Sequence, residues 1–369
     1  MDPSDAQQHR FAGARRAEGF DEPPTPPAPA PDVGPLPAAQ LPAAAPPPQG
    51  WDRFTSSPSP QAGPSVGWDA PVALKEAPAT WGARRRVVKV ASFGMASAKP
   101  SEQERAHRAA EQAIRAASWP RAVRIAVANP KGGVGKTPAA LILAGIAARL
   151  RGGGVAVWDA GDSAGSLALR AEGAGSACVA DIAAHPEAYS TPGTVSAAVA
   201  RQSSFAAVIG SRRPREFAGR EVYQVMTALD QSFAISVADT GNVPHSEAWK
   251  YAIGYSDALL IPTAPTRDSV DKALDVLARL RSGPLAHLAE RATIVINRGL
   301  GGDPTLDVRG LFEARGVGAV LDVPFDKSIA ANTLVRPADL SHDSQVAWTQ
   351  VTAAVLSSIV VTTEKSETP

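Results

Sequence analysis

NPKGGVGKTP, residues 129–138, lies between AVRIAVA (122–128), a short β-branched run, and PAALILAGIAARL (138–150), which is apolar at helical spacing. The first run predicts a buried parallel strand, and the second a helix with a basic last turn. Between them, Gly132, Gly133 and Gly135 let the backbone turn tightly and bring its N–H groups, that of Val134 included, onto an anion. The helix that follows points the positive end of its dipole at the same place. Lys136 would then reach the β- and γ-phosphates of a nucleotide, and the Thr137 hydroxyl would ligate Mg²⁺. Pro138 falls in the first helical turn, where a missing N–H is tolerated. The stretch reads as a phosphate-binding loop.

The common form of such loops places glycine six residues before the lysine, and here Pro130 stands at that position with Lys131 next to it. The form Lys-Gly-Gly-Val-Gly-Lys-Thr resembles the deviant Walker A motif of the ParA/MinD family of P-loop ATPases, a resemblance that runs from about residue 121 to the C-terminus. It implies ATP and Mg²⁺ as ligands. It also implies an ATP-dependent homodimer in which Lys131 reaches the partner's phosphates. Physically, a second cation beside a triphosphate is costly unless the anion is present, so ATP could hold two subunits together. A solvated loop lysine is the plainer reading of Lys131.

Composition divides the chain unevenly. Residues 1–80 are rich in Pro, Ala, Gly and Ser, as in PPTPPAPAPDVGPLPAA (23–39), and such a segment cannot bury enough apolar surface to offset its ordering entropy. A disordered tail is expected there, punctuated by Trp51, Trp68 and Trp81, which could be docking points for a protein partner or equally incidental. Residues 81–120 form a basic and helical preface that begins at Trp81, with Arg84, Arg85, Arg86 and Lys89. It continues into a charged helix opened by the capping-box pair Ser101 and Glu104, whose apolar face is thin. Residues 121–362 alternate strand and helix, and residues 363–369 form a flexible end. The expected fold class is α/β, a mostly parallel twisted sheet with helices on both faces, preceded by the Pro/Ala-rich tail.

The formal net charge of +1 supplies no global field toward nucleic acid or membrane. Arg212, Arg213, Arg215 and Arg220 make a local run, which in the ParA branch would suit non-specific DNA contact, although a solvated face is the commoner explanation. Cys178 is the only cysteine, so no intramolecular disulfide forms and a reducing cytoplasm is the expected setting. The count also excludes the cluster-bearing relatives, which need cysteine pairs. The charged, then proline-rich start predicts no signal peptide, and no run is long enough to predict an integral membrane segment.

Seven strands are expected, at 122–128, 154–158, 206–209, 233–238, 258–262, 293–296 and 318–323, with ligands at their carboxyl ends. The second ends in Asp159. In the family this strand delivers Asp-x-Asp, whose second carboxylate lies near the attacking water, but here Gly161 stands at that spacing and Asp162 follows one residue late. Hydrolysis would then depend on Asp162 reaching through a bulge; otherwise both carboxylates only cap the loop. The fourth strand ends in Asp239, whose place after a buried strand fits a Walker B carboxylate holding Mg²⁺. Asn297 and Pro324 end later strands, and the resemblance implies that they read and line adenine, with Asn297 as a strand-end turn residue the rival reading. The proline-rich start, the Trp-and-Arg preface and the loop WDAGDSAGSLALRAE look most like the actinobacterial MinD-like ATPases found near type VII secretion systems. Partition ATPases are the near alternative, and a nucleotide-gated binding module with little turnover is the alternative of a different class.

Overall fold

The computed structural model describes residues 77–81, 98–162, 165–173, 175–212, 214, 216–331 and 333–361, all within one unit, Leu74–Pro369. The expectations for residues 1–76 and 363–369, for Arg84–Arg86 and Lys89, and for Arg213 and Arg215 lie outside the described residues.

In chain order the elements are α1 (Glu102–Ala116), β1 (Val123–Val127), α2 (Lys136–Arg151), β2 (Val155–Asp159), α3 (Leu167–Arg170), α4 (Val179–Ala184), α5 (Pro192–Ala198), β3 (Ala200–Arg201) and β4 (Ala207–Ile209). They continue with α6 (Gly219–Asp230), β5 (Ile235–Asp239), α7 (Glu247–Gly254), β6 (Ala258–Thr263), α8 (Arg267–Arg281), α9 (Ala286–Glu290), β7 (Thr293–Asn297), α10 (Val308–Glu313), β8 (Ala319–Val323), α11 (Lys327–Ala330) and α12 (His342–Ser357). The sheet runs β3-β4-β2-β5-β1-β6-β7-β8. Every pairing is parallel except β3 with β4. The two-residue β3 was not foreseen, and among the described residues it is the only antiparallel member of this sheet.

Alternation along the strands assigns the two faces. Val123, Ile125 and Val127 of β1 pack with α2 and α12 on one side, while Ala126 joins α7 and α8 on the other. Likewise Val155 and Val157 face the first layer, and Ala156 and Trp158 face α4 and α6. Buried on both faces, these strands read as continuous apolar runs. Each fully buried Val or Ile contributes roughly 1.5–3 kcal/mol relative to exposure.

The preface helix is more firmly seated than its composition foretells. Ile114 of α1 is fully buried in the cluster formed with α2 and α12. Ser101 caps α1 by accepting the Glu104 N–H at 3.1 Å. The Glu104 carboxylate, however, turns away from the cap. It accepts the Thr80 N–H at 2.6 Å, the Thr80 hydroxyl at 2.7 Å and the Arg108 guanidinium at 2.7 Å, and so straps residues 77–81 to the helix.

The parallel order places β1 between β5 and β6 and sets Asp159 opposite Asp239 across the β2–β5 pairing. Two carboxylates and the glycine-rich turn therefore meet at the carboxyl ends of adjacent central strands.

Candidate functional site

The turn after β1 is built by its glycines and anchored by one amide. Asn129, buried, donates to the Pro262 carbonyl at 2.9 Å and accepts the Lys131 N–H at 2.9 Å. Gly135, at φ 94°, is the residue preceding α2, and a β-carbon there would lie 3.0 Å from the Asn297 amide nitrogen. Only glycine meets both demands without strain. The helix begins at Lys136, two residues earlier than its apolar spacing foretells, so Lys136, Thr137 and the buried Pro138 form its first turn. The first N–H groups of a helix have no intrahelical acceptor, which suits such a turn to an anion.

Lys136 and Thr137 then point at the strand ends. Lys136 is 8 % exposed, and its ammonium donates to the Lys131 carbonyl at 2.9 Å and to the Asn242 side-chain oxygen. Burial brings its pKa down to about 8, against the opposing pull of Asp239. The Thr137 hydroxyl donates to Asp239 Oδ2 at 2.7 Å, and the Ser166 hydroxyl lies 3.3 Å from it. Asp239 Oδ1 is buried with no hydrogen-bond partner among the described residues. Burial pushes Asp239 up to about 7 and the Asp159 charge adds to the rise, while the Thr137 bond, Lys136 and Arg170 oppose it. Asp159 accepts the N–H groups of Gly161 at 3.2 Å and Gly165 at 3.1 Å, yet burial still raises it to about 6. A hydroxyl and an orphaned carboxylate oxygen beside the glycine-rich turn are hard donors of the kind Mg²⁺ takes. Among the described residues no group of three His, Cys, Asp or Glu could hold a metal, so such an ion would draw its remaining ligands from phosphate and water.

A cavity of about 480 Å³ opens over these groups. Of the residues singled out from sequence, it is lined by Gly133, Gly135, Lys136, Thr137, Pro138, Asp159, Gly161, Asp239, Asn297 and Pro324. The structure does not bring the others into the lining. Val134 is buried beneath the turn, and a β-carbon on Gly132 would approach the Asn242 amide at 3.5 Å. Lys131 pairs with Asp268 at 2.6 Å on the exposed side of the turn. Asp162 accepts the Phe217 N–H at 3.2 Å. Asn297 also caps the short helical turn that follows it, accepting the Gly299 N–H at 3.3 Å, as its turn-forming reading expects. Arg212 donates to the carbonyls of Ser176 at 2.7 Å and Gly175 at 3.3 Å.

Sequence reasoning missed several lining residues: Ser166, Arg170, Asn242 and Phe325. Asn242 had a signal, because it stands three residues after Asp239 in the run ADTGN. Arg170 had none, since a lone arginine in a four-residue helix reads as surface.

Residues 125–330, more than half of the chain, match the family model described as the CobQ/CobB/MinD/ParA nucleotide binding domain. The chain belongs to this family. Among solved structures the CobQ/CobB/MinD/ParA fold of this chain resembles a ParA family ATPase from Chlorobium tepidum TLS, at 20 % identity and TM-score 0.51, over 63 % of this chain and 98 % of that one. It resembles the cell division ATPase MinD of Pyrococcus furiosus at 19 % identity and TM-score 0.50, over the same shares, 63 % and 98 %. Among curated proteins, the ESX-1 secretion-associated protein EspI of Mycobacterium tuberculosis is 26 % identical over 222 residues, 57 % of this chain. The match covers 33 % of EspI, so the chain spans about a third of that relative's length. No helix of the described residues is long and apolar enough to cross a membrane.

Proposed function

We propose that this ParA/MinD-type domain binds MgATP in the cavity above α2, dimerises on it and hydrolyses it slowly, in a positioning, partition or secretion-linked role. The observation that carries the reading is the Thr137–Asp239 hydrogen bond of 2.7 Å beside a cavity lined by Gly133, Gly135 and the buried Lys136. Bound Mg²⁺ would neutralise charge developing on the phosphates. Thr137 and Asp239 are the residues that would hold it. Lys136, already stripped of much of its water, would exchange the Lys131 carbonyl and Asn242 for phosphate oxygens at small further desolvation cost. Asn297 and Pro324 would meet the base. Lys131, whose ammonium pairs with exposed Asp268, is available to a partner subunit's nucleotide, because an exposed pair of this kind is worth at most about 1 kcal/mol. The relative named as secretion-associated favours a secretion-linked role, with the proline-rich tail as the contact for a protein partner and DNA contact through Arg212 and Arg220 as the partition-like variant.

A second reading, a nucleotide-gated binding module with little turnover, is favoured by one feature. Asp162 is engaged with the Phe217 backbone and glycine stands at 161, so no carboxylate from this segment other than Asp159 lines the cavity. Phosphate release under excess MgATP, with and without DNA, separates the two. Turnover abolished by Lys136→Ala and reduced by Asp162→Ala supports the enzyme, and ATP-dependent dimerisation without turnover supports the module. Light scattering with Lys131→Ala tests the dimer: a wild-type chain that stays monomeric in saturating MgATP counts against it.

A further inference from the structure

Arg170 is 7 % exposed although it ends a four-residue helix, and it lines the cavity. Its guanidinium donates through Nη2 to the Ile329 carbonyl at 2.8 Å and through Nε to the Thr333 carbonyl at 3.4 Å. Its own carbonyl accepts the Val335 N–H at 2.9 Å. Two residues on, Glu172 pairs with Arg336 at 2.7 Å. Four contacts thus staple residues 170–172, which follow the Asp159 loop, to residues 329–336, which follow Pro324 and Phe325. Ile329 and Ala330 of that second segment line the cavity beside Pro324, Phe325 and Asn297. No carboxylate is within ion-pair distance of the Arg170 guanidinium among the described residues; Asp239 attracts it only through space, and its hydrogen bonds go to carbonyls. A planar fork anchored at two carbonyls fixes the spacing between two loops in a way a point charge does not.

We infer that Arg170 is a positioning residue for the nucleoside half of the ligand: it fixes the wall formed by Pro324, Phe325, Ile329 and Ala330 at the distance from the phosphate-binding turn that a nucleotide spans. The inference rests on a nucleotide occupying this cavity and adds which residue sets the fit of its base and sugar. The phosphate end is held by α2 and does not depend on the staple. Loss of the staple therefore weakens a nucleotide and spares a bare polyphosphate.

The test measures dissociation constants of MgATP and of magnesium tripolyphosphate, by competition against a fluorescent ATP analogue. It uses the full chain as wild type, Arg170→Ala, Arg170→Lys and Arg336→Ala. Arg170→Ala is expected to weaken MgATP about tenfold and to leave tripolyphosphate within about twofold. Arg170→Lys keeps the charge but not the fork, and is expected to behave like the alanine variant toward MgATP. Arg336 does not line the cavity, so Arg336→Ala should shift MgATP in the same direction by about threefold, again sparing tripolyphosphate. Equal weakening of both ligands by Arg170→Ala would make Arg170 a direct phosphate contact and overturn the inference, as would unchanged MgATP affinity. Should Arg170→Ala fail to fold, unchanged MgATP affinity in Arg336→Ala has the same force. A wild-type chain that binds neither ligand would instead remove the reading of the cavity itself.

Discussion

Asp239→Asn should make the nucleotide-free chain more stable while destroying its response to magnesium nucleotide. Asp239 is 5 % exposed, and one of its oxygens has no hydrogen-bond partner among the described residues. A carboxyl that titrates near 7 in the folded chain, against an ordinary value of 3.8, costs the fold up to about 4 kcal/mol at neutral pH. Water entering the cavity and the charge of Lys136 reduce this, so about 2 kcal/mol is the expected gain on replacing the charge by an amide that still accepts from Thr137. For a domain of this size that corresponds to a rise in Tm of about 4–8 °C. The sign with pH follows from the raised value. The folded chain binds the proton more tightly than the unfolded one, so the penalty is absent below about pH 4, grows as pH rises toward 7 and is complete above it. Thermal unfolding in magnesium-free buffer at pH 5 and 7.5 should show the variant's advantage to be larger at the higher pH. Asp159, raised to about 6, leaves a residual slope of the same sign in both proteins. Adding MgATP should stabilise the wild type and leave the variant unmoved. A variant less stable than the wild type at pH 7.5, or one stabilised equally by MgATP, would refute the reasoning.

Lys136 supplies a second pH dependence, because its ammonium titrates near 8 in the free chain and bound phosphate would favour the charged form. MgATP affinity should be flat from pH 7 to 8 and fall by up to about tenfold per pH unit above that, and affinity that does not change up to pH 9.5 would count against the lysine's role. Gly165→Ala places a β-carbon 2.2 Å from Asp159 Oδ2 and must displace that carboxylate, at about 1–3 kcal/mol in denaturant titration, whereas an unchanged midpoint would mean that the loop yields freely. Glu104→Gln weakens the strap to Thr80 and Arg108 by about 2 kcal/mol at pH 7. Burial alone would raise the Glu104 pKa, but the Thr80 bonds and the Arg108 charge outweigh it and hold the carboxyl below 4.5. Its contribution is therefore present above that value and fades as pH falls through the lower folded one. The gap between variant and wild type should close in acid, and a gap that widens there would contradict the assignment.

The central strands were legible because each is a short β-branched run closed by a turn residue, and burial on both faces makes such runs stand out. β3 was not, since two residues such as Ala200 and Arg201 carry no periodicity. The start of α2 was misplaced by two residues, because Lys136 and Thr137 look like loop chemistry although their backbone is already helical. The glycine-rich turn was readable because its chemistry is contiguous. What sequence could not supply is what meets across it. The opposition of Asp159 and Asp239 is a property of strand order, and the bond from Asp162 to Phe217 spans 55 residues. Glu104 shows the same limit from the other side. Its spacing from Ser101 predicts a reciprocal cap, but a segment 24 residues earlier claims the carboxylate. Arg170 was invisible because burial of a cation depends on carbonyls about 160 residues away, at Ile329 and Thr333.

Everything here depends on the turn from Gly132 to Thr137 enclosing the phosphates of a nucleotide, and calorimetry tests that most directly. Titration of magnesium ATP into the full chain should give saturable binding of one nucleotide per chain, lost in Lys136→Ala while that variant keeps its fold by circular dichroism. No heat with the wild type, or undiminished binding by the folded variant, would contradict the account.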